Sequence, residues 1–136
     1  MLNRIYLAGK WQEAELVRRY ATELRILGYY ITMPWFECHV GPNIESLPWS
    51  AVEDERGVRQ ADTCIFIFER ELPYSGAMSE LGMALALNKR VIIVGNGGHK
   101  NIFTHHPLVE HVKTFEEAIA CLSGQSLAQT RLAVRG

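Results

Sequence analysis

The sequence predicts a single α/β domain with a doubly wound parallel sheet and helices on both faces. Short β-rich runs alternate with helical patterns along the chain, which is typical of parallel strands joined by crossover helices. The run Thr63–Phe68 is almost wholly apolar, as expected of a central strand covered on both faces. The length of 136 residues fits one domain.

The first half of the chain supplies two strands and one helix. A β-rich run at Arg4–Ala8 predicts the first strand, and helical periodicity predicts a helix from about Gln12 to Leu27. Gly28 suits the left-handed cap that ends many helices, and the second strand is predicted from Tyr29 to about Phe36. The apolar stripe of the helix consists of Val17, Tyr20, Ala21, Leu24 and Leu27.

The second half repeats the pattern and completes a flavodoxin-like sheet of five strands. Right-handed crossovers favour the strand order 2-1-3-4-5. The predicted elements are, in chain order, a loop at 37–48, a helix at Trp49–Ala61, the strand Thr63–Phe68, a loop at 69–76, a helix at Ala77–Leu87, the strand Arg90–Val94, a glycine-rich loop at 95–98, a strand near Val112–Phe115 and a helix at Glu116–Leu122.

Composition limits the function classes. Residues 1–124 are predicted to form the domain, and the small, polar residues 125–136 a tail that frays. The net charge is −1 with scattered cations, so neither nucleic acid nor a membrane surface is an expected partner. No leader or membrane span is recognised, and a cytoplasmic location is expected. The cysteines Cys38, Cys64 and Cys121 match no disulfide or zinc pattern, Cys64 is expected in the core, and no metal or cofactor is expected.

Glu80 is the most informative side chain of the sequence. The third helix carries an apolar stripe of Ala77, Leu81, Ala84 and Leu87, and Glu80 lies within that stripe near the start of the helix. A carboxylate on an apolar face needs a partner or a function. Glu80 is therefore either a catalytic group at the ligand-binding edge of the sheet or a glutamate that balances the helix dipole.

Asp54 and Tyr6 are the two side chains expected to lie beside Glu80. Asp54 continues the inward stripe of the second helix with Val58 and Ala61, so it is either a second acid or a stabiliser of that helix. Tyr6 lies near the carboxyl end of the first strand, where it is either a core residue or the group that orients Glu80. We expect all three to converge on one pocket.

The candidate substrate-binding residues surround the carboxyl edge of the sheet, where ligands bind in such folds. Backbone N–H groups and a cation at a strand-to-helix junction suit a phosphate, and an exposed indole either stacks on a nucleobase or packs. The histidine pair at 105–106 offers hydrogen bonds but no metal-ligand pattern. These candidates are Gly9, Lys10, Trp35, Ser75, Gly76 and His105. Trp35, Phe36 and Trp49 are hard to bury in so small a monomer, which favours a symmetric dimer.

Three segments, in order and at suitable spacing, resemble the nucleoside 2-deoxyribosyltransferase family over Ile5 to about Ile119. Residues 75–91 are similar to the family's Glu-Leu-Gly-x-Ala helix, followed by a small-residue–Lys turn and a strand. The segment from Asp54 to Asp62 resembles its second signature, and Ile5–Gly9 resembles its first strand.

The resemblance implies cleavage of an N-glycosidic bond, by hydrolysis or base transfer, in a nucleoside or nucleoside 5′-monophosphate. It makes Glu80 the nucleophile, Tyr6 its orienting partner and Asp54 a substrate-binding or proton-transfer residue. It also implies a homo-oligomer, because family members complete each site with residues from a neighbour.

Two features leave the activity open. Transferases of the family often carry an additional acid in the segment that is Pro73–Gly76 here, and Lys10 with Ser75 would suit a 5′-phosphate, so a nucleotide hydrolase is favoured. The competing interpretation is a non-catalytic nucleotide-binding or signalling module on the same fold. A phosphoacceptor receiver domain is disfavoured because the first strand does not end in acidic residues and no Asp ends the third strand.

Overall fold

The computed structural model describes residues 3–37, 45, 47–71 and 73–124, and within them it confirms the predicted fold. All strand pairings are parallel, and the strand order is β2-β1-β3-β4-β5. The strands are β1 (Arg4–Ala8), β2 (Tyr30–Ile31), β3 (Thr63–Ile67), β4 (Arg90–Val94) and β5 (Val109–Val112). The helices are α1 (Ala14–Ile26), α2 (Leu47–Gln60), α3 (Ser75–Ala86) and α4 (Phe115–Leu122), with 3-10 turns at Trp11–Glu13, Trp35–Glu37 and Ile102–His105. None of the helices in these ranges has the length and apolar character needed to cross a membrane.

The sheet separates two apolar cores, and β1 contributes to both. Its side chains alternate between the faces because successive residues of a strand point in opposite directions. Ile5 and Leu7 pack in the core under α1 and α4, whereas Tyr6 and Ala8 pack in the core under α2 and α3. Tyr6 therefore lies on the face that also carries the inward stripes of α2 and α3.

The second strand is much shorter than predicted. It pairs with β1 only at Tyr30 and Ile31, and Thr32 adds one further hydrogen bond to the Ile5 carbonyl at 3.0 Å. Pro34 has no N–H and a fixed φ, so the ladder stops before it, and the chain turns into the 3-10 segment Trp35–Glu37. Phe36 is fully buried there, which corrects the expectation that it resists burial in a monomer.

The fifth strand lies three residues earlier than predicted. It spans Val109–Val112, because the Thr114 hydroxyl accepts a hydrogen bond from the Glu117 N–H at 3.2 Å and starts α4 at Phe115. A capping threonine followed by Glu117 was available in the sequence as a helix-start signal.

Smaller differences concern helix ends. The predicted first helix divides into the 3-10 turn Trp11–Glu13 and α1, and Leu27, assigned to its apolar stripe, is 57% exposed. The second and third helices each begin two residues earlier than predicted, at Leu47 and Ser75. Cys64 is buried in the core, as expected. Cys38 and the tail at 125–136 lie outside the described residues.

Gly57 of α2 sets the distance between this helix and β1. A Cβ atom at this position would lie 2.6 Å from Met33 Cβ and 2.9 Å from the Tyr6 ring. The close approach also lets the Thr32 hydroxyl donate to the Gly57 carbonyl at 2.7 Å. Because Gly57 has no side chain, the backbone of α2 lies in direct contact with the Tyr6 ring.

We expect Gly57→Ala to lower the free energy of unfolding by about 1–2 kcal/mol, since so close a contact places the overpacking cost at about 2–3 kcal/mol and improved helix propensity recovers about 1 kcal/mol. Gly82→Ala in α3 is the matched control, because a Cβ there meets nothing within 4 Å. It should raise stability by about 0.5–1 kcal/mol. Urea unfolding of the two variants measures both effects, and a Gly57→Ala protein as stable as the wild type would contradict the steric role.

Candidate active site

A tyrosine hydroxyl and a carboxyl group are in contact between the sheet and α3, on the side of the sheet that α2 and α3 cover. Tyr6, in the middle of β1, is 1% exposed, and Glu80, in the second turn of α3, is 8% exposed. The Tyr6 hydroxyl donates a hydrogen bond to Glu80 Oε2 at 2.5 Å. The sheet and one helix thus hold a short hydrogen bond away from water.

Asp54 brings a second carboxyl group to the same place. It lies on the inward side of α2, partly buried, and close enough to Glu80 for the two carboxyls to shift each other's pKa. Tyr6, Asp54 and Glu80 therefore come together from β1, α2 and α3, as the inward registration of each residue in the sequence predicts.

Burial dominates the electrostatics of this cluster. The pKa of Glu80 is raised to about 8, chiefly by burial; the Tyr6 hydrogen bond opposes this rise, and the Asp54 carboxyl adds to it. Burial also raises the pKa of Asp54, opposed by its hydrogen bond with Glu80. The pKa of Tyr6 is raised well above its ordinary value, by burial first and then by the negative charge of Glu80. The hydroxyl is therefore a neutral donor, and the two carboxyls share one proton near neutral pH.

Such a pair has two chemical capacities. An ionised carboxylate that is poorly solvated is a nucleophile, and a protonated neighbour is a general acid. The shared proton lets one group take each role at the same time.

Lys10 and Gly9 follow β1 at the carboxyl edge of the sheet. The Lys10 ammonium donates to the Pro73 carbonyl at 2.6 Å, so it bridges two loops of that edge. A Cβ on Gly9 would lie 3.2 Å from Val17 and 3.8 Å from Trp35, so this glycine allows close packing around the strand end.

Trp35 covers the end of β1. Its indole N–H donates to the Leu7 carbonyl at 2.7 Å, and its ring packs edge-on against Phe36 with centroids 5.5 Å apart. Trp11 lies beside it at 6.3 Å. The indole is half-buried, so part of its surface faces solvent near the edge.

Ser75 and Gly76 form the first turn of α3 and are exposed. A Cβ at Gly76 would meet nothing within 4 Å, so the space before this turn is open. The turn lies one helical turn before Glu80, on the same side of the sheet as the carboxyl pair.

His105 lies in a different pocket. A cavity of about 290 Å³ is lined by His99, His105 and His111 above an apolar floor of Phe68 and Ile93, and none of the three converging residues lines it. His105 Nε2 contacts the His99 carbonyl at 2.5 Å. His105 therefore does not join the carboxyl pair within the described residues. In those same residues, no group of three His, Cys, Asp or Glu side chains is arranged to hold a metal ion.

Two further buried polar side chains, Glu13 and Tyr74, are not among the candidates predicted from the sequence. Glu13 is 6% exposed and Tyr74 is 4% exposed, and the Tyr74 hydroxyl donates to Glu13 Oε1 at 3.0 Å. Glu13 lies four residues before Val17, on the inward stripe of the first helix, by the same criterion that identified Glu80. That spacing was the signal for a buried carboxylate at this edge.

The fold and the site together define the class of protein. It is an α/β domain with a parallel sheet, in which a carboxyl pair beside a tyrosine hydroxyl is suited to nucleophilic and acid–base chemistry. The family model for nucleoside 2-deoxyribosyltransferases matches residues 5–120. The chain belongs to this family, whose members are enzymes.

Two solved structures are similar in fold. A 2-deoxyribosyltransferase from the psychrotolerant bacterium Bacillus psychrosaccharolyticus has a TM-score of 0.67 and 20% identity, over 85% of this chain and 89% of that chain. A CMP N-glycosidase from Clostridium botulinum has a TM-score of 0.58 and 19% identity, over 88% of this chain and 98% of that chain. No curated protein matches the sequence significantly. At these identities the two structures establish the shared fold.

The raised pKa of Glu80 predicts a stability that falls with pH. The ordinary value is 4.5 and the folded value about 8, so between them the folded chain holds a proton that the unfolded chain has lost. Stability from this group is complete below about pH 4.5 and declines by about 1.4 kcal/mol per pH unit at most as pH rises toward 8. Glu80→Gln removes this dependence, so the variant should gain several degrees in Tm over the wild type at pH 8, and less at pH 5.

Thermal unfolding at the two pH values measures this effect. Glu116→Gln, in the exposed first turn of α4, is the control, because it removes a carboxyl that is not buried, and its effect on Tm should differ little between the two pH values. An equal Tm difference for Glu80→Gln at pH 5 and pH 8 would contradict the raised pKa.

Proposed function

We propose that this protein cleaves the N-glycosidic bond of a nucleoside or nucleoside 5′-monophosphate, with Glu80 as the nucleophile. The observation that carries the proposal is the 2.5 Å hydrogen bond from Tyr6 to a carboxyl buried beside Asp54. Membership of the nucleoside 2-deoxyribosyltransferase family supports the choice of bond and of substrate class.

The first step forms a glycosyl–enzyme ester. A Glu80 carboxylate oxygen attacks the anomeric carbon as the bond from that carbon to the base nitrogen breaks. The electron pair of the broken bond moves to the base, and Asp54 supplies the proton that neutralises it. Tyr6 holds the Glu80 carboxylate in the orientation of attack.

The second step releases Glu80. Water or an acceptor base attacks the same carbon, the ester bond breaks, and the carboxylate leaves with its electron pair. The proton lost by the attacking group returns to Asp54, which restores the starting state of the pair. Water in this step gives hydrolysis, and a base gives transfer.

Substrate binding must place the shared proton on Asp54. In the empty site, burial favours the proton on Glu80, because that carboxyl is the more deeply buried of the two. A sugar that develops positive charge at its anomeric carbon stabilises the Glu80 carboxylate instead, and the Tyr6 hydroxyl assists it. The proton then moves to Asp54 along their hydrogen bond.

The carboxyl edge supplies the remaining contacts. Lys10 and the exposed first turn of α3 at Ser75 and Gly76 would bind a 5′-phosphate, and the exposed part of Trp35 would stack on the base. We also propose a homo-oligomer, because α2 presents Trp49, 73% exposed, beside Leu47 and Val52, both 49% exposed.

We expect Glu80→Gln to abolish turnover while the protein remains folded. The amide keeps the size of the side chain but does not attack the anomeric carbon, and a lost nucleophile costs several orders of magnitude in rate. The assay incubates a panel of nucleosides and 5′-monophosphates, with and without an acceptor base, and measures free base by chromatography. Mass spectrometry of the quenched wild type should place a glycosyl adduct on the Glu80 peptide.

Glu116→Gln serves as the control for a lost carboxylate and should keep full activity. An active Glu80→Gln protein, or an adduct on another residue, would overturn the role of Glu80. Substrate binding without base release by the wild type would instead favour a non-catalytic binding module.

The role of Asp54 is tested by comparing substrates whose bases do and do not need a proton to leave. Asp54→Asn should lower kcat by about 10²–10⁴-fold on ordinary nucleosides, because the departing base receives no proton. On a 7-methylguanine nucleoside the loss should be much smaller, since that base leaves as a neutral molecule without protonation. Equal losses on both substrates would remove Asp54 from the role of general acid.

A further inference from the structure

The starts of α1 and α3 are joined by a buried contact on the carboxyl edge of the sheet. Tyr74 immediately precedes α3, and Glu13 ends the 3-10 turn that leads into α1. The Tyr74 hydroxyl donates to Glu13 Oε1 at 3.0 Å, with both residues less than a tenth exposed. The Tyr74 ring also packs on Phe68, with centroids 4.7 Å apart.

This contact and the candidate active site join the same two parts of the chain. Tyr6 and Glu13 belong to β1 and the turn that follows it, whereas Tyr74 and Glu80 belong to α3 and its first preceding residue. One hydrogen bond connects Glu13 to Tyr74, and a second connects Tyr6 to Glu80. Because a helix is stiff, the first bond restrains the position of the second.

We propose that Glu13 and Tyr74 are positioning residues, whose hydrogen bond fixes the start of α3 and so keeps the Glu80 carboxyl against the Tyr6 hydroxyl. The inference deepens the proposed function and rests on it. A second link supports the same geometry, since Lys10 donates to the carbonyl of Pro73, the residue before Tyr74, at 2.6 Å. Burying a carboxyl group at position 13 costs free energy of folding. Its role as the acceptor for the Tyr74 hydroxyl explains why a carboxyl is present there.

The test uses three variants and a control. Tyr74→Phe removes the hydroxyl but keeps the ring on Phe68, Glu13→Ala removes the acceptor, and Glu13→Gln removes the charge but keeps an acceptor oxygen. Tyr20→Phe is the matched control, because Tyr20 also donates its hydroxyl to a carboxylate near this edge, Glu69, at 2.5 Å, on the exposed surface.

The first readout is the titration of Glu80, followed by carboxyl ¹³C NMR and assigned by comparison with Glu80→Gln. The groups that set its pKa are Tyr6 and Asp54, and the Tyr6 hydrogen bond lowers it. Loosening that bond in Tyr74→Phe and Glu13→Ala should therefore raise the pKa of Glu80, by about half a unit or more. Glu13→Gln and Tyr20→Phe should titrate like the wild type.

The second readout is kinetics on whichever nucleoside or 5′-monophosphate of the panel releases base. Tyr74→Phe and Glu13→Ala should lose about 10- to 100-fold in kcat with little change in KM, as expected of a misplaced nucleophile. Release of base by the wild type tests the proposed function, whereas the titration tests the positioning role without any substrate. Failure of the proposed function and failure of the positioning role would therefore give different results.

Variants made in a Tyr6→Phe background distinguish positioning of Glu80 through the Tyr6–Glu80 bond from a general loosening of the structure around Glu80. If Tyr74 acts through the Tyr6–Glu80 bond, adding Tyr74→Phe to Tyr6→Phe should leave the Glu80 titration unchanged. An equal shift in both backgrounds, a Glu13→Gln protein that behaves like Glu13→Ala, or an unshifted Tyr74→Phe protein would overturn the inference.

Discussion

The burial of the Glu80 carboxyl is the constraint on which the arrangement of the α2–α3 side of the molecule depends. A carboxyl removed from water must be hydrogen-bonded or neutral, and here it is held by one hydroxyl and one further acid. Meeting that condition requires a tyrosine at the centre of β1, a second acid on the inner side of α2, and a glycine at position 57 that lets α2 approach the tyrosine ring. Each requirement acts on a different element, so the site depends on the tertiary fold.

The same burial explains why the chemistry needs two carboxyls. With a pKa near 8, Glu80 is mostly protonated at neutral pH, and in that form it is a poor nucleophile. With Asp54 beside it, the proton has a second position close by, and the pair keeps one negative charge. In the proposed mechanism, charge development in the bound sugar would move the proton without exchange with solvent. In its second step, the group that occupies the space in front of the ester, water or a base, would decide between hydrolysis and transfer.

Sequence periodicity predicted the fold class, the strand order and the three converging residues, because each depends on which side of an element a residue faces. Tyr6, Asp54 and Glu80 all lie on inward stripes, and inward registration is a local property of the chain. The extent of β2 and the position of β5 depended on Pro34 and on the Thr114 cap, whose effects were present in the sequence but outweighed by β-propensity. The place of His105, in a cavity apart from the carboxyl pair, depends on how residues 95–108 fold over the sheet, and no periodic pattern encodes that path.

The division of the core between the two faces of the sheet accounts for how such a site is tolerated. The face under α1 and α4 is packed with aliphatic and aromatic side chains, among them Ile5, Leu7 and Phe115. Because Ile5 and Leu7 flank Tyr6 in β1, their packing on the far side of the sheet fixes the backbone from which the Tyr6 hydroxyl projects. Apolar packing on both faces thus stabilises β1, and the polar cluster lies within the core under α2 and α3. Part of the packing that holds the Tyr6 backbone in place therefore lies on the opposite side of the sheet from Glu80.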